Sequence, residues 1–259
     1  MTEPFPSITL LGTRINLITM DGLHAMFSAL VARDGLSVVT YANIHALNLA
    51  CDLPWYRKFL NEADCTFCDG HGLMLGAKIA GERPIPEKIT AAHWTPLFAK
   101  YCALHGHSWF LLGSKPGVAA AASDKLQGIA PGLNVVGTHH GYFDKSPTSP
   151  ENLEVIDRIN EAKPDILFVG FGMPHQERWI LDNRDQIRAR VALTAGATLD
   201  YAAGHHKRPP RWLTDNGLEW LGRWWYEPRR LAARYFVGNP LFLARCVRER
   251  IRLPGKLEN

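Results

Sequence analysis

Three groups of residues in this 259-residue sequence have the types and spacing to do chemistry. The first is a carboxylate set among glycines, Cys68-Asp69-Gly70-His71-Gly72. Glycines let a backbone or a ligand come close, and a carboxylate placed there can take a proton from a hydroxyl as a general base. Asp69 equally suits the N-cap of a helix over 71–80, so the residues alone leave both roles open. The second group is a pair of glycine turns, Gly113-Ser114-Lys115-Pro116-Gly117 and Gly170-Phe171-Gly172-Met173-Pro174-His175-Gln176-Glu177. Each leads from an apolar run into a helical pattern, where free N–H groups and the helix dipole favour a diphosphate. Neither matches a Walker loop or the full dinucleotide fingerprint, and either one alone fits a plain tight turn. Two in one sheet point to a nucleotide. The third group is His139-His140, His205-His206 and the lone Cys65-x-x-Cys68. Adjacent histidines lack the i, i+3 or i, i+4 spacing of helical metal ligands, and no second cysteine pair is present, so neither a metal nor a redox pair is expected. No nucleophile elbow or Ser/His signature is present either.

These residues need a scaffold, and the pattern of apolar runs supplies one. SVVTYAN (37–43), SWFLLGS (108–114), NVVGTHH (134–140), DILFVGFG (165–172) and VALTAG (191–196) read as strands. Helical patterns over 44–61, 116–129, 151–162 and 174–188 lie between them, with Pro116 and Pro174 near first turns. Near-continuous apolar strands alternating with amphipathic helices predict an α/β fold, a Rossmann-like, mostly parallel sheet flanked by helices. Ligands of such sheets sit beyond the carboxyl ends of the strands, which singles out 113–117, 138–143, 170–177 and 196–204. Residues 144–152 read as an exposed loop.

Composition narrows the setting. A hydrophobic fraction of 46% with 21% charged residues is ordinary for a globular chain. No window approaches the ~18–20 apolar residues of a membrane span. The first residues lack a basic, apolar signal, and five cysteines without one fit a reducing cytosol. From His205 onward twelve Lys and Arg face five Asp and Glu, whereas residues 1–204 hold 17 against 20. The sequence therefore divides into a body, 1–206, and a basic helical appendage, 207–259. In the appendage Trp212, Trp220, Trp224 and Trp225 alternate with Arg211, Arg223, Arg229, Arg230 and Arg234. Interleaved Trp and Arg suit an anionic membrane surface, with rings at headgroup depth and guanidinium groups on phosphates. The competing reading is a helix that packs its aromatics on the body and leaves its arginines solvated. Nucleic acid is not expected as a partner, because the basic residues lie among interfacial tryptophans.

Taken in order, the motifs resemble the WecG/TagA/CpsF glycosyltransferases of bacterial teichoic acid, enterobacterial common antigen and capsule or exopolysaccharide synthesis. The resemblance runs from about residue 8 to 243. It is carried by NIHALNLA (43–50), ADCTFCDGHGLMLGAKIAG (63–81), FLLGSKPGVAAAASDKL (110–126), PGLNVVGTHHGYF (131–143) and PDILFVGFGMPHQERWI (164–180), then by LTAGATLDYAAGHHKRPPRWL (193–213) and GLEWLGRWWYEPRRLAARYFVGNP (217–240). It implies an inverting, metal-independent enzyme without a cofactor that uses a UDP-sugar, often UDP-N-acetylmannosamine, and a polyprenyl-diphosphate-linked acceptor. Such an enzyme would be peripheral on the inner face of the cytoplasmic membrane, with self-association left open. Residue by residue, it implies Asp69 as the base and Tyr41, Asn43, Lys88, Gly113, Gly172, Gln176 and Asp200 around the donor. Arg223, Arg230 and Arg234 would meet the acceptor diphosphate, a role that guanidinium forks suit. The chain departs from the family where Tyr41 replaces a threonine, with Thr40 adjacent. Lys88 replaces an arginine, Ala91 and His93 stand in for Gly-x-Asp, and Ala233 replaces a further arginine. These departures make a hexose such as glucose a rival donor sugar, and a non-catalytic nucleotide-sugar-binding partner the alternative function.

Overall fold

The computed structural model describes residues 5–205, 221, 224, 225 and 228–252. Its strands are β1 (Ser7–Leu10), β2 (Thr13–Asn16), β3 (Ser37–Ala42), β4 (Cys65–Cys68), β5 (Trp109–Gly113), β6 (Val135–His139), β7 (Ile166–Gly170) and β8 (Val191–Thr194). Helices α1 (Met20–Val31), α2 (Ile44–Asp52), α3 (Pro54–Glu62), α4 (His71–Ala80) and α5 (Ala91–His105) occupy the first half. They are followed by α6 (Val118–Ile129), α7 (Pro150–Ala162), α8 (His175–Asn183) and α9 (Thr198–Ala202). The tail holds α10 (Pro228–Ala232), a π-helical turn (Ala233–Val237) and α11 (Gly238–Arg252).

The expected α/β architecture is present. Every residue of β5 and of β7 is buried, as strands covered on both faces must be. The sheet order is β4-β3-β8-β7-β5-β6, and the pairs β3–β8, β8–β7, β7–β5 and β5–β6 are parallel. After β5 the chain runs outward to β6, then returns to β7 on the other side of β5. The loops leaving β5 and β7 therefore part from each other, which is the switch point where such sheets bind ligands.

Local chemistry adjusts the expected boundaries. The helix expected over 44–61 is two helices, because Leu53 before Pro54 is extended (φ −121°, ψ 98°) and Pro54 opens a new helix. Pro116 precedes its helix rather than sitting in the first turn, since Gly117 with φ 83° is the N-cap of α6. Pro174 is itself the N-cap of α8, and α8 ends at Asn183 rather than 188. The β1–β2 hairpin turns on Leu11 (φ 52°) and Gly12 (φ 76°), the two left-handed positions that a tight two-residue hairpin turn demands.

The chain forms two compact units. One comprises Met20–Thr40 and Ala91–Lys207. Its core is aromatic: Phe98 lies 4.5 Å from the Trp94 and Phe27 rings and 5.3 Å from Trp109, which lies 4.4 Å from Phe168. A buried polar chain braces it, with Trp179 Nε1 donating to Asn152 Oδ1 (2.7 Å) and Asn152 Nδ2 to Asn183 Oδ1 (2.8 Å). The other unit comprises Met1–Thr19, Tyr41–Thr90 and Arg208–Asn259. There α11 docks on α4 through Gly76, where an added Cβ would lie 2.2 Å from the Phe242 ring. Arg245 fastens α11 to α2, donating to Asn48 O (3.1 Å), Asn48 Oδ1 (3.0 Å) and Asp52 Oδ1 (2.6 Å). Among the described residues no helix is long and apolar enough to cross a membrane.

Candidate active site

Asp69 ends β4, and its N–H donates to Ala42 O (2.8 Å) at the end of β3. It does not cap the helix that follows. Gly70 (φ 97°, ψ 156°) is the N-cap of α4, and no side chain caps that helix. Instead Asp69 Oδ2 accepts a hydrogen bond from Asn43 Nδ2 at 3.1 Å. Asn43 is the N-cap of α2, and its Oδ1 accepts from Ala46 N (3.1 Å). The cap needs the oxygen, so the amide nitrogen is the end left to face Asp69. The cap thus orients a donor toward the half-buried carboxylate.

The same unit places three more of the expected residues. Lys88 Nζ lies 3.2 Å from His71 Nδ1, which brings its charge to the turn after Asp69. Tyr41 is half-buried at the end of β3, with its ring 6.1 Å from Phe67. Thr40 does not stand in for it: neighbouring strand residues face opposite ways, and Thr40 Oγ1 is buried against Thr194 Oγ1 at 2.9 Å. Arg234 is close enough for its charge to act on His45, two residues beyond Asn43. Burial first, and Arg234 second, lower the His45 pKa to about 4. Arg223, Trp212 and Trp220 lie outside the described residues, and of Arg230 only the backbone, in α10, is described.

The second unit gathers the glycine turns. Gly113 has φ 149°, and a Cβ on it would meet Gly170 O at 2.4 Å, while one on Gly170 would meet Gly196 O at 3.0 Å. The ends of β5, β7 and β8 thus approach backbone to backbone, as only glycines permit. No side chain caps α6 or α8, and their first N–H groups turn back on the backbone, Val118 N donating to Lys115 O (3.1 Å) and His175 N and Gln176 N to Gly172 O (3.0 and 3.1 Å). Asp200 Oδ2 accepts from Ser114 Oγ (2.7 Å), which ties the β5 loop to α9. Gln176 is fully buried. Its Oε1 accepts from Gly172 N (3.2 Å) and Gly196 N (2.9 Å), and its Nε2 donates to Glu177 Oε1 (2.8 Å). It is a stitch between the loops that carry Gly172 and Gly196.

The remaining sequence candidates are the cysteine and histidine pairs. Cys65 and Cys68 are buried, and burial pushes both thiols up, Cys65 to about 12, so neither is a ready thiolate. His139 Nδ1 faces the His140 carbonyl (2.8 Å), His205 is exposed, and His206 lies outside the described residues. Among the described residues no group of three or more His, Cys, Asp or Glu could hold a metal ion. Sequence reasoning named Ser114, His71 and Gly196 only as members of their segments and gave none of them a role of its own. Ser114 had a signal in its position inside the glycine turn, whereas the closeness of His71 to Lys88 across 17 residues had none.

The model of the glycosyl transferase WecG/TagA/CpsF family matches residues 8–256. Similar proteins include the N-acetylglucosaminyldiphosphoundecaprenol N-acetyl-beta-D-mannosaminyltransferase of Staphylococcus aureus strain MRSA252. It is 28% identical over 227 residues, spanning 88% of this chain and 85% of that protein. Proteins of the same name from strains NCTC 8325 / PS 47 and COL match to the same extent.

Proposed function

Because the chain belongs to the WecG/TagA/CpsF family of glycosyl transferases and is a glycosyltransferase, we propose that it moves a sugar from a UDP-sugar to a polyprenyl-diphosphate-linked saccharide in the assembly of a bacterial surface polysaccharide. The transfer is a single displacement with inversion. Asp69 takes the proton of the acceptor hydroxyl as its oxygen attacks the anomeric carbon, and the bond to UDP breaks with the electron pair leaving on the diphosphate. Backbone N–H groups of the glycine turns and nearby basic side chains stabilise that charge without a metal. Asn43 orients Asp69, Tyr41 and Lys88 serve the donor, and Gln176 and Asp200 hold the loops that carry Gly172 and Gly113.

The observation that supports this reading most directly is the Asn43–Asp69 hydrogen bond. It gives the carboxylate a fixed orientation that a capping aspartate would not need. The names of the similar S. aureus proteins support the polyprenyl-diphosphate acceptor and make N-acetylmannosamine one candidate sugar. Lys88, Ala91 and His93, where the family pattern differs, keep a hexose such as glucose as the other.

For the acceptor we assign Arg234, with Arg223 and Arg230, to the lipid-linked diphosphate. The tail meets the inner face of the cytoplasmic membrane. Exposed apolar side chains support that placement: Trp225 is 78% exposed, Phe236 56% and Ile251 74%, with exposed Arg248 and Arg252 nearby. Binding to anionic vesicles therefore weakens as salt rises.

The test offers several UDP-sugars with a synthetic prenyl-diphosphate saccharide and reads product mass, with and without a chelator. Transfer that persists under chelation, from one UDP-sugar, is the expected outcome. Asp69→Asn lowers turnover ~100-fold or more while the variant folds normally. Near-normal turnover in that variant removes Asp69 as the base, and UDP binding without any transfer favours the non-catalytic partner.

A further inference from the structure

We propose that Lys145 is the cation that receives the donor's diphosphate, and that the β6–α7 loop carrying it forms the third side of an anion subsite at the switch point. The inference rests on the donor reading above. Lys145 lies beyond the last motif residue of its segment, Phe143, so the sequence pattern gives it no role. The structure cages its ammonium group. Nζ donates to the carbonyl oxygens of Gly141 and Phe143 and stands 4.6 Å above both the Phe143 and the Phe171 rings. Two carbonyls and two ring faces are all electron-rich, and together they fix a long side chain that would otherwise keep its rotamer freedom.

The cage leaves the charge available. Asp144, the adjacent carboxylate, is committed to its own turn: its Oδ1 accepts from Ser146 N (3.0 Å) and Ser146 Oγ (2.7 Å). Lys145 forms no ion pair among the described residues, and one of its three N–H donors has no acceptor there. Burial lowers its pKa, with Asp144 opposing, which marks the charge as partly stripped of water. A partly desolvated cation with a free donor gains most from an arriving anion.

Its location points to the same ligand. Gly141, whose carbonyl holds the ammonium, donates its own N–H to Ser114 O (2.8 Å). A Cβ on Gly141 would lie 2.9 Å from the Phe171 ring and 3.3 Å from Gly113 Cα. The cage is therefore built on the loops that leave β5 and β7, at the crevice where the sheet order reverses. The other basic groups of this unit that come near these loops serve less well. Lys125 donates to Ala203 O (2.6 Å) at the end of α9, Lys115 is exposed, and burial lowers the His139 pKa, which favours its neutral form.

The experiment uses the full chain and compares UDP with uridine by calorimetry. Lys145→Met keeps the apolar stem in the cage and removes the charge. It weakens UDP binding roughly tenfold or more, the scale of one charge-assisted hydrogen bond, and leaves uridine binding within about twofold. Lys145→Arg retains most of the UDP affinity. A second readout needs no variant: UDP, and not uridine, slows acetylation of Lys145 in the wild-type protein, followed by mass spectrometry. Equal loss of UDP and uridine binding in Lys145→Met means that the lysine only clamps its loop, and the proposal is overturned. Unchanged UDP binding, or acetylation indifferent to UDP, also overturns it. Wild-type protein that binds no UDP sinks the donor reading as well, whereas a wild type that binds UDP beside an unaffected Lys145→Met sinks the lysine assignment alone.

Discussion

Asn43 has two functions, and Asn43→Asp separates them. Its oxygen caps α2 through Ala46 N, while its nitrogen donates to Asp69 Oδ2 at 3.1 Å. Aspartate caps a helix about as well as asparagine, so the first function survives and stability changes by less than about 1 kcal/mol. The second function inverts, because a carboxylate oxygen replaces the amide donor. Two unit charges 3.1 Å apart repel by about 5 kcal/mol at an effective dielectric near 20 and by about 1 kcal/mol in bulk water. Asp69 is half-buried, so the true value falls between these bounds. At ~1.4 kcal/mol per pH unit, the pair retains a shared proton to a pH about one to four units higher than a lone carboxylate would. The acidic limb of kcat/KM for sugar transfer moves upward by that amount, and the activity lost near pH 7 returns in part near pH 9. The assay is the pH profile of transfer for wild type, Asn43→Asp and Asn43→Ala, with urea titrations of all three. Asn43→Ala loses the cap, at about 1 kcal/mol, yet brings no new charge, so its limb moves less. An Asn43→Asp enzyme with the wild-type acidic limb, or with a loss that does not recover at high pH, would refute the coupling of Asn43 to the base.

Three further outcomes follow from the same geometry. Gly113→Ala combines a left-handed φ with a Cβ 2.4 Å from Gly170 O, so it destabilises by about 2 kcal/mol or more, whereas Gly172→Ala, with open space around it, costs only about 1 kcal/mol; urea titration compares them. Gln176→Leu strands the N–H groups of Gly172 and Gly196 and removes a donor from Glu177, for a cost of about 2–4 kcal/mol in thermal unfolding, and transfer falls with it. His45 has its folded pKa lowered from 6.5 to about 4, so the unfolded chain binds the extra proton between those values. Stability therefore drops as pH falls through that window, and His45→Gln flattens the slope in chemical denaturation measured from pH 7 to pH 4.

Five of the six strands of the sheet were legible, because strands buried on both faces have no polar side and WFLLG and ILFVG read as strands at sight, whereas β4, only four residues long, was not read as one. The helices flanking them were legible where caps and prolines mark the starts. What escaped had a weaker signal. The β1–β2 hairpin offers only four residues per strand. Helix α5 carries Pro96 within it. The break at Leu53 was readable in principle from Pro54, but the apolar period continues through it and hides the change of direction.

The site divides along a similar physical line. A residue type at a motif position reveals which chemistry is available, and Asp69 is proposed as the base on that ground. Which atom faces which partner depends on contacts between residues far apart in the chain, and no local pattern encodes them. Gln176 illustrates the consequence. Its motif places it beside the donor, yet a side chain with no exposed surface cannot touch a ligand, and its oxygen is fully used by two loop N–H groups. Its influence on transfer must pass through the position of Gly172, so a variant there should lose stability and turnover together. Asp69→Asn should lose turnover alone. Lys145 is the converse case: it lies outside every motif, yet two carbonyls, two rings and a glycine packed against Gly113 hold its charge at the same crevice. Charge placed by loop packing is invisible to a motif, and it is the kind of group that the proposed departure of a diphosphate without a metal requires.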